Sequence, residues 1–417
     1  LQESIYEAAN PKIIANDSGV MMMVWTADIA ERSNGNQTAI VYSLYNEIDS
    51  AWSEPVIISD DGTADAFADI ATYGDDIYVT WVNPKKEFDE TVTIEDFASS
   101  CEICFAKFDM ETYAFEEKVV VTDNESYNFA PVICASNDGT YIAYVENSNS
   151  DPLMQTGSNK IVFAKIVNNT VQVIKENNVN APIHSMNVGF INNVPTVAYT
   201  VDLDSNIQTS EDVEVYVFDE TAEVYRLTDN REYEQNIQFN RINNKEALSY
   251  YSNNTIYYTD DFENMESIVG NDEVFVSSNY CFINDDIGTM LLTALPTTDS
   301  DTTNIFASVY NGVGWSGTAQ ITETEDNVKS FNGCKSPDGN INIIFTTASY
   351  EAEILENNGD GSSTGSFNEY VNMYSYEFER YVDISIESVS YVDSNIIPGE
   401  QLPVTLKVKN KGTQVID

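Results

Sequence analysis

The sequence predicts an all-β chain whose residues 1–378 form a seven-bladed β-propeller with four-stranded blades. Three observations carry that prediction. The stretch Ile40-Val41-Tyr42-Ser43 returns along the chain with the same grammar, anchored on Tyr42, Phe105, Phe163, Tyr216, Tyr257, Phe306 and Tyr374. Each return is flanked by further strand-like runs, with turn residues between them and no helical periodicity. A repeat of this length built from short strands is the signature of radially repeated sheets, which close into a ring.

Within each unit the runs follow in order. The first ends in a tight turn, Asp17-Ser18-Gly19, copied at Asn137-Asp138-Gly139 and Pro337-Asp338-Gly339. Asp, Asn and Gly there supply the positive φ of a hairpin. The second run ends in an aromatic, as in Val24-Trp25, Thr80-Trp81, Ala143-Tyr144, Ala198-Tyr199 and Ser249-Tyr250. The third is the aromatic-anchored stretch. The fourth is short and closes on an apolar residue or pair, then Ser or Thr, then acids or amides: Ile57-Ile58-Ser59-Asp60, Val120-Val121-Thr122-Asp123, Arg226-Leu227-Thr228-Asp229. The seventh unit has only its first three runs, through Tyr376, so Leu1–Tyr6 is expected to supply the fourth and close the ring.

Composition bounds the function. The chain carries 68 acidic and 19 basic residues, net −49. Nucleic acid and anionic membranes as partners need Lys and Arg patches and are excluded on that ground. No run approaches the roughly 18 apolar residues of a membrane helix. Of the five cysteines, Cys134, Cys281 and Cys334 occupy equivalent apolar-facing strand positions and read as buried thiols. Cys101-x-x-Cys104 has no second pair to complete a metal site. His184, the single histidine, stands at the mouth of a first strand. The acid pairs Asp60-Asp61, Asp75-Asp76 and Asp285-Asp286 fall in turns, where turn chemistry accounts for them.

The sixth unit's Ser308-Val309-Tyr310-Asn311-Gly312-Val313-Gly314-Trp315 resembles the Asp-box of the sialidase-like propellers, Ser-x-Asp-x-Gly-x-x-Trp, with Tyr310 in the Asp place; Ser43 to Trp52 is a looser copy. The resemblance implies a sialidase-like propeller. It does not extend to the family's catalytic signature, which grips a carboxylate with three arginines beside a Tyr–Glu nucleophile pair. The five arginines here are Arg32, Arg226, Arg231, Arg241 and Arg380, and of these only Arg231 and Arg241 are expected near the channel. From residue 382 a second pattern begins: an alternating strand from Asp383 to Val389, the turn Pro398-Gly399-Glu400, and a strand from Val404 ending in Lys409-Asn410-Lys411-Gly412. Residues 382–417 resemble the opening of the cell-adhesion-related Ig-like domain of bacterial surface proteins, a β-sandwich. That implies a secreted or surface-attached bacterial protein whose polypeptide continues beyond Asp417.

Unequal loops point to a binding edge. The second unit inserts residues 83–100 and the seventh residues 348–368, so the arc of blades seven, one, two and three is the expected binding edge. It offers Asp28, Arg32, Phe88, Asp89, Phe97 and Tyr350, a mixture that suits a glycan or a surface protein. Glu356-x-Asn358-x-Asp360-Gly361, with Glu369 beyond, follows the oxygen-ligand spacing of a calcium loop, although Glu stands first and the last carboxylate comes two residues late. Three functions stay open: a non-catalytic extracellular binding or adhesion module, a glycoside-active hydrolase or lyase with an unfamiliar site, and a structural spacer. The first calls for an exposed aromatic patch. The second calls for convergent carboxylates with shifted pKa.

Overall fold

The computed structural model describes residues 1, 5–89, 91–154, 156–204, 209, 212–221, 223–284, 288–297, 302–310, 314–357, 363–379, 384–391 and 404–410. Seven antiparallel sheets follow one another, each ordered as the chain runs. The innermost strands are Lys12–Ala15, Ala66–Tyr73, Tyr127–Ser136, Ile183–Ile191, Gln235–Ile242, Tyr280–Asn284 and Asn327–Lys335. Each touches the next, and the last returns to the first, which closes the ring. Blades one to six carry a fourth strand, such as Thr170–Val179 in blade three and Glu266–Val269 in blade five. Among the described residues, blade seven has three.

The core lies between blades. The aromatic-anchored strand of one blade packs on its neighbour: Met22, Val24, Ile40 and Tyr42 of blade one meet Ile77, Val79, Trp81 and Phe108 of blade two. Blades six and seven meet in the same way through Leu292, Ile305, Ile343 and Phe345. Each such side chain contributes roughly 1.5–3 kcal/mol when fully buried. Where blades crowd closest only glycine fits. A Cβ on Gly189 of blade four would stand 2.2 Å from Cβ of Phe239 on blade five.

Polar ties lock the inner strands to one another. Ile13 N–H donates to Asn332 Oδ1 (3.1 Å) across the closure, and Ile133 N–H to Asp69 Oδ2 (3.0 Å). Gln238 Nε2 donates to Tyr280 O (2.6 Å) and Asn279 Nδ2 to Lys329 O (3.3 Å). Hairpins follow the expected turn chemistry, with positive φ at Gly19, Gly139 and Gly339. Asn pairs do the same work: Asn168-Asn169, Asn192-Asn193, Asn243-Asn244 and Asn253-Asn254 all hold positive φ, which two-residue hairpins require.

The motif closing the fourth run is a latch. In blades two, four and six, Thr122, Thr228 and Thr322 Oγ1 accept the N–H of Ile103, Val215 and Ile305 at 2.8–2.9 Å. Two residues later, the N–H of Asn124, Asn230 and Thr324 donates to the side chain of Glu102, Glu214 and Asn304. The tryptophans that follow the third strands of blades one and six fold back on them. Trp52 folds back on Tyr45 (5.3 Å between rings) and Trp315 on Tyr310 (5.4 Å). Blade two has a third such fold-back, Phe115 on Phe108 (5.3 Å).

One expectation is corrected. The insertion at 348–368 is not a loop. Ile341–Asn357 and Ser363–Phe378 are two long strands paired as far as Asn357↔Ser363. The run from Ile341 through Tyr350, rich in the β-favouring Ile, Phe, Thr and Tyr, carries the first of them past Ala348, whereas the Gly/Ser-rich tip alone suggested a loop. The expected pairing of Leu1–Tyr6 with blade seven falls largely on residues 2–4, which lie outside the described residues. Ile5 N–H donates to Val371 O (2.9 Å), and Ile5 packs on the cluster of Trp25, Ile344 and Met373. Beyond the propeller, Ile384–Tyr391 and Val404–Asn410 pair as an antiparallel ribbon.

Candidate binding site at the channel mouth

Inner strands begin at the end of the ring where second strands finish and third strands start. Blade connections and second-to-third loops therefore share this face. Here the inner strands are bulged. The ladder shifts between Ala66 and Asp69, Phe129 and Val132, Ile183 and Ser185, Gln235 and Gln238, and Val328 and Ser330. A bulge adds a residue and re-aims its side chain. It presents Phe67, Ala130, His184, Asn236 and Lys329 around the mouth, and Phe67, Ala130 and Asn236 hold φ of 55°, 50° and 50°. Phe67 is 57% exposed, an aromatic kept in a conformation its bulk disfavours. In blades two, three and five the bulge faces Trp81, Tyr144 and Tyr250, the aromatics that end the second runs.

On the side of blades four to seven a cavity of about 350 Å³ opens, walled by His184, Ser185, Tyr233, Glu234, Asn236 and Lys329 with further hydroxyl and amide groups. The His184 ring stands edge-on to Tyr233 at 6.3 Å, and its Nε2 is 3.7 Å from Asp202 Oδ2. Glu234 is almost wholly buried. Oε1 accepts from Asn230 Nδ2 (2.8 Å), while Oε2 is a buried atom without a hydrogen-bond partner. Burial pushes its carboxyl up to about 7, with the Glu214 charge adding to the effect. Glu214, also buried, accepts from Asn230 N–H (2.9 Å) and pairs with Arg226 Nη2 (3.1 Å), so Asn230 spans the two carboxylates. A larger groove of about 680 Å³ lies away from the mouth, beside the third strand of blade seven, lined by Glu325, Phe345, Tyr374 and Tyr376.

Of the residues expected on the arc of blades seven to three, the structure brings Phe88 and Phe97 together. Arg32 is a brace: Nη1 donates to Thr63 O (2.6 Å) and Thr38 O (3.2 Å), and Nη2 pairs with Asp60 Oδ1 (2.5 Å). Phe88 is buried against Phe97 (5.5 Å), and its N–H and C=O are bracketed by the Asn36 amide at 2.8 Å each. The helix Ile94–Ala98 and its partner loop thus plug the insertion of blade two. Asp89 is exposed and turns its carboxylate on Thr91, which holds its pKa down. Asp28 is an exposed strand end. Tyr350 is 62% exposed, and its OH donates to Glu369 Oε1 (3.0 Å). Glu369 also pairs with Lys329 (2.9 Å), which links it to the mouth. The register puts Glu369 opposite Tyr350, six residues and roughly 20 Å along the ribbon from Glu356. Asn358 and Asp360 lie outside the described residues, as does Arg380.

Arg241 is corrected as well. It sits at the far end of its strand, paired in register with Glu246, and donates to Asn244 O (3.4 Å). The thiols are free, burial raises them, and Cys101 and Cys104 project from opposite faces of one strand into different core clusters. Sequence reasoning missed Glu234, Lys329, Phe67 and the acids beside His184. One signal was present: Asp202-x-Asp204-x-Asn206 has the spacing sought at Glu356. The carboxylates of Asp202, Asp204 and Asp212 lie within 4.8 Å of one another.

Seven such sheets closed in a ring make the chain a seven-bladed β-propeller. No protein-family model and no curated protein matches its sequence. Solved structures of similar fold include Trypanosoma rangeli sialidase (10% identity, 89% of this chain and 55% of that one, TM-score 0.48). They also include an acylaminoacyl peptidase (11%, 94% and 59%, 0.49) and the intramolecular trans-sialidase of Ruminococcus gnavus (10%, 81% and 89%, 0.40). The chain spans a little over half the length of the Trypanosoma rangeli enzyme.

Proposed function

We propose that the propeller is a non-catalytic extracellular module that binds a neutral, polyhydroxylated ligand, a glycan free or on a surface protein, at the channel mouth. The observation that carries this reading is the lining of the 350 Å³ cavity: hydroxyl and amide groups, the rings of Tyr233 and His184, the acid Glu234, and Lys329, whose charge is met by Glu369. Such a wall matches the alternating donors, acceptors and apolar patches of a sugar. A carboxylate-gripping site is disfavoured by the arginines, since Arg32 and Arg226 are held in structural ion pairs and Arg241 stands at the other end of its blade. The net charge of −49 opposes anionic ligands generally. The C-terminal ribbon is, in this reading, the start of an Ig-like spacer outside the cell. A glycan array probed with the intact chain tests it. Discrete binding that disappears in Tyr233→Ala is the expected result; equal binding by both proteins would refute the site.

The second reading, a glycoside-active enzyme, rests on one observation. Glu234, held at about 7, is a carboxyl able to keep a proton at neutral pH and so to act as a general acid.

A further inference from the structure

We propose that Asp202, Asp204 and Asp212, at the second-to-third-strand connection of blade four, bind a calcium ion beside the channel mouth. Three carboxylates converge there, with ligand atoms within 4.8 Å of one another. Acid clusters are common on so acidic a chain, and the cluster alone carries nothing. Asp202 makes the difference. Its side chain is wholly buried, and both carboxylate oxygens lack a hydrogen-bond partner. The nearest base, His184 Nε2, is 3.7 Å away, beyond hydrogen-bond reach. A buried carboxylate left so costs several kcal/mol unless a counter-charge meets it.

The neighbours sharpen that demand. Asp212 Oδ2 accepts from Asp204 N–H at 2.7 Å, which fixes the turn and leaves its other oxygen available. Thr209 Oγ1 lies 3.2 Å from Asp204 Oδ2 and 3.4 Å from Oδ1. The approaching charges of Asp212 and Asp204, after burial itself, push the Asp202 carboxyl up. Two resolutions exist: a proton shared between carboxylates, or a cation. Hard oxygen donors with Asp-x-Asp spacing fit calcium, whose shell of 6–8 oxygens is completed by backbone carbonyls and water. The inference does not rest on glycan binding, because it concerns a different ligand and a different set of groups.

The test is equilibrium dialysis of the intact chain against radioactive calcium chloride at 0.15 M potassium chloride, which screens diffuse counterion binding. One saturable ion per chain is expected. Asp204→Asn should raise its dissociation constant at least tenfold, while Asp272→Asn, an exposed acid elsewhere, leaves it unchanged. Asp202→Asn removes the buried charge without changing shape, so it guards against misfolding. It should melt no lower than the parent without calcium and show no calcium-dependent rise in melting temperature. No saturable site, or a site indifferent to Asp204→Asn, overturns the proposal and leaves the shared proton.

Discussion

Asp65 is wholly buried at the seam between blades one and two, where Trp81 Nε1 (3.2 Å) and Asn83 Nδ2 (2.9 Å) both donate to Oδ1 and Oδ2 has no hydrogen-bond partner. Burial, then the charge of Asp61, raises its carboxyl from the usual 3.8 to about 7. The folded chain therefore holds a proton that the unfolded chain has released. Asp65 contributes most below pH 3.8, and that contribution is lost as pH rises through 7, at about 1.4 kcal/mol per pH unit between the two values. Asp65→Asn keeps an acceptor and removes the charge. It should raise the melting temperature relative to the parent at pH 8 and not at pH 4; a gain of equal size at both would contradict this account. Little of this residue-level chemistry was legible beforehand. His184 at the mouth was, because a strand start could be read from its flanks. Arg32 and Phe88 were misread, because a loop residue's type does not say whether it faces solvent or braces the loop, and here Asn36, Thr38 and Thr63 claim them.

Elements were far more legible. Turn residues with positive φ, aromatic second-run ends and the Ser/Thr-acid close of each fourth run all carry local physics, so the strands could be placed from them. The bulges could not, since a one-residue slip leaves no mark in composition. The long ribbon of blade seven was hidden by its Gly/Ser-rich tip. The missing fourth strand of that blade was visible, and its consequence can be tested. Ile5 ties the N-terminal segment to Val371 and to the cluster holding Met373. Removing residues 1–6 should lower stability by roughly 1–3 kcal/mol, from the lost apolar burial and one backbone bond. An unchanged calorimetric melting temperature would show that this segment does not close the ring.

At the scale of the whole molecule, a rigid ring presents bulged, polar side chains on one face while a field of net −49 surrounds it. The rigidity comes from apolar contact between every pair of adjacent blades and from the polar ties between inner strands. Such a scaffold can hold a ligand-sized wall without internal motion. The seven-bladed ring could be read from repetition alone. The site could not, because it is assembled from residues far apart in sequence, such as His184, Glu234 and Lys329, which only closure brings together. On the proposed reading this wall binds a neutral glycan and does not cleave it. Isothermal titration calorimetry with the strongest glycan of the array tests both halves at once, since binding heat saturates whereas turnover produces heat continuously. Binding without turnover predicts a one-site isotherm that flattens at saturation, returns to baseline after every injection, and vanishes in Tyr233→Ala. A sustained heat signal that disappears in Glu234→Gln would contradict it and establish the propeller as a glycoside-active enzyme.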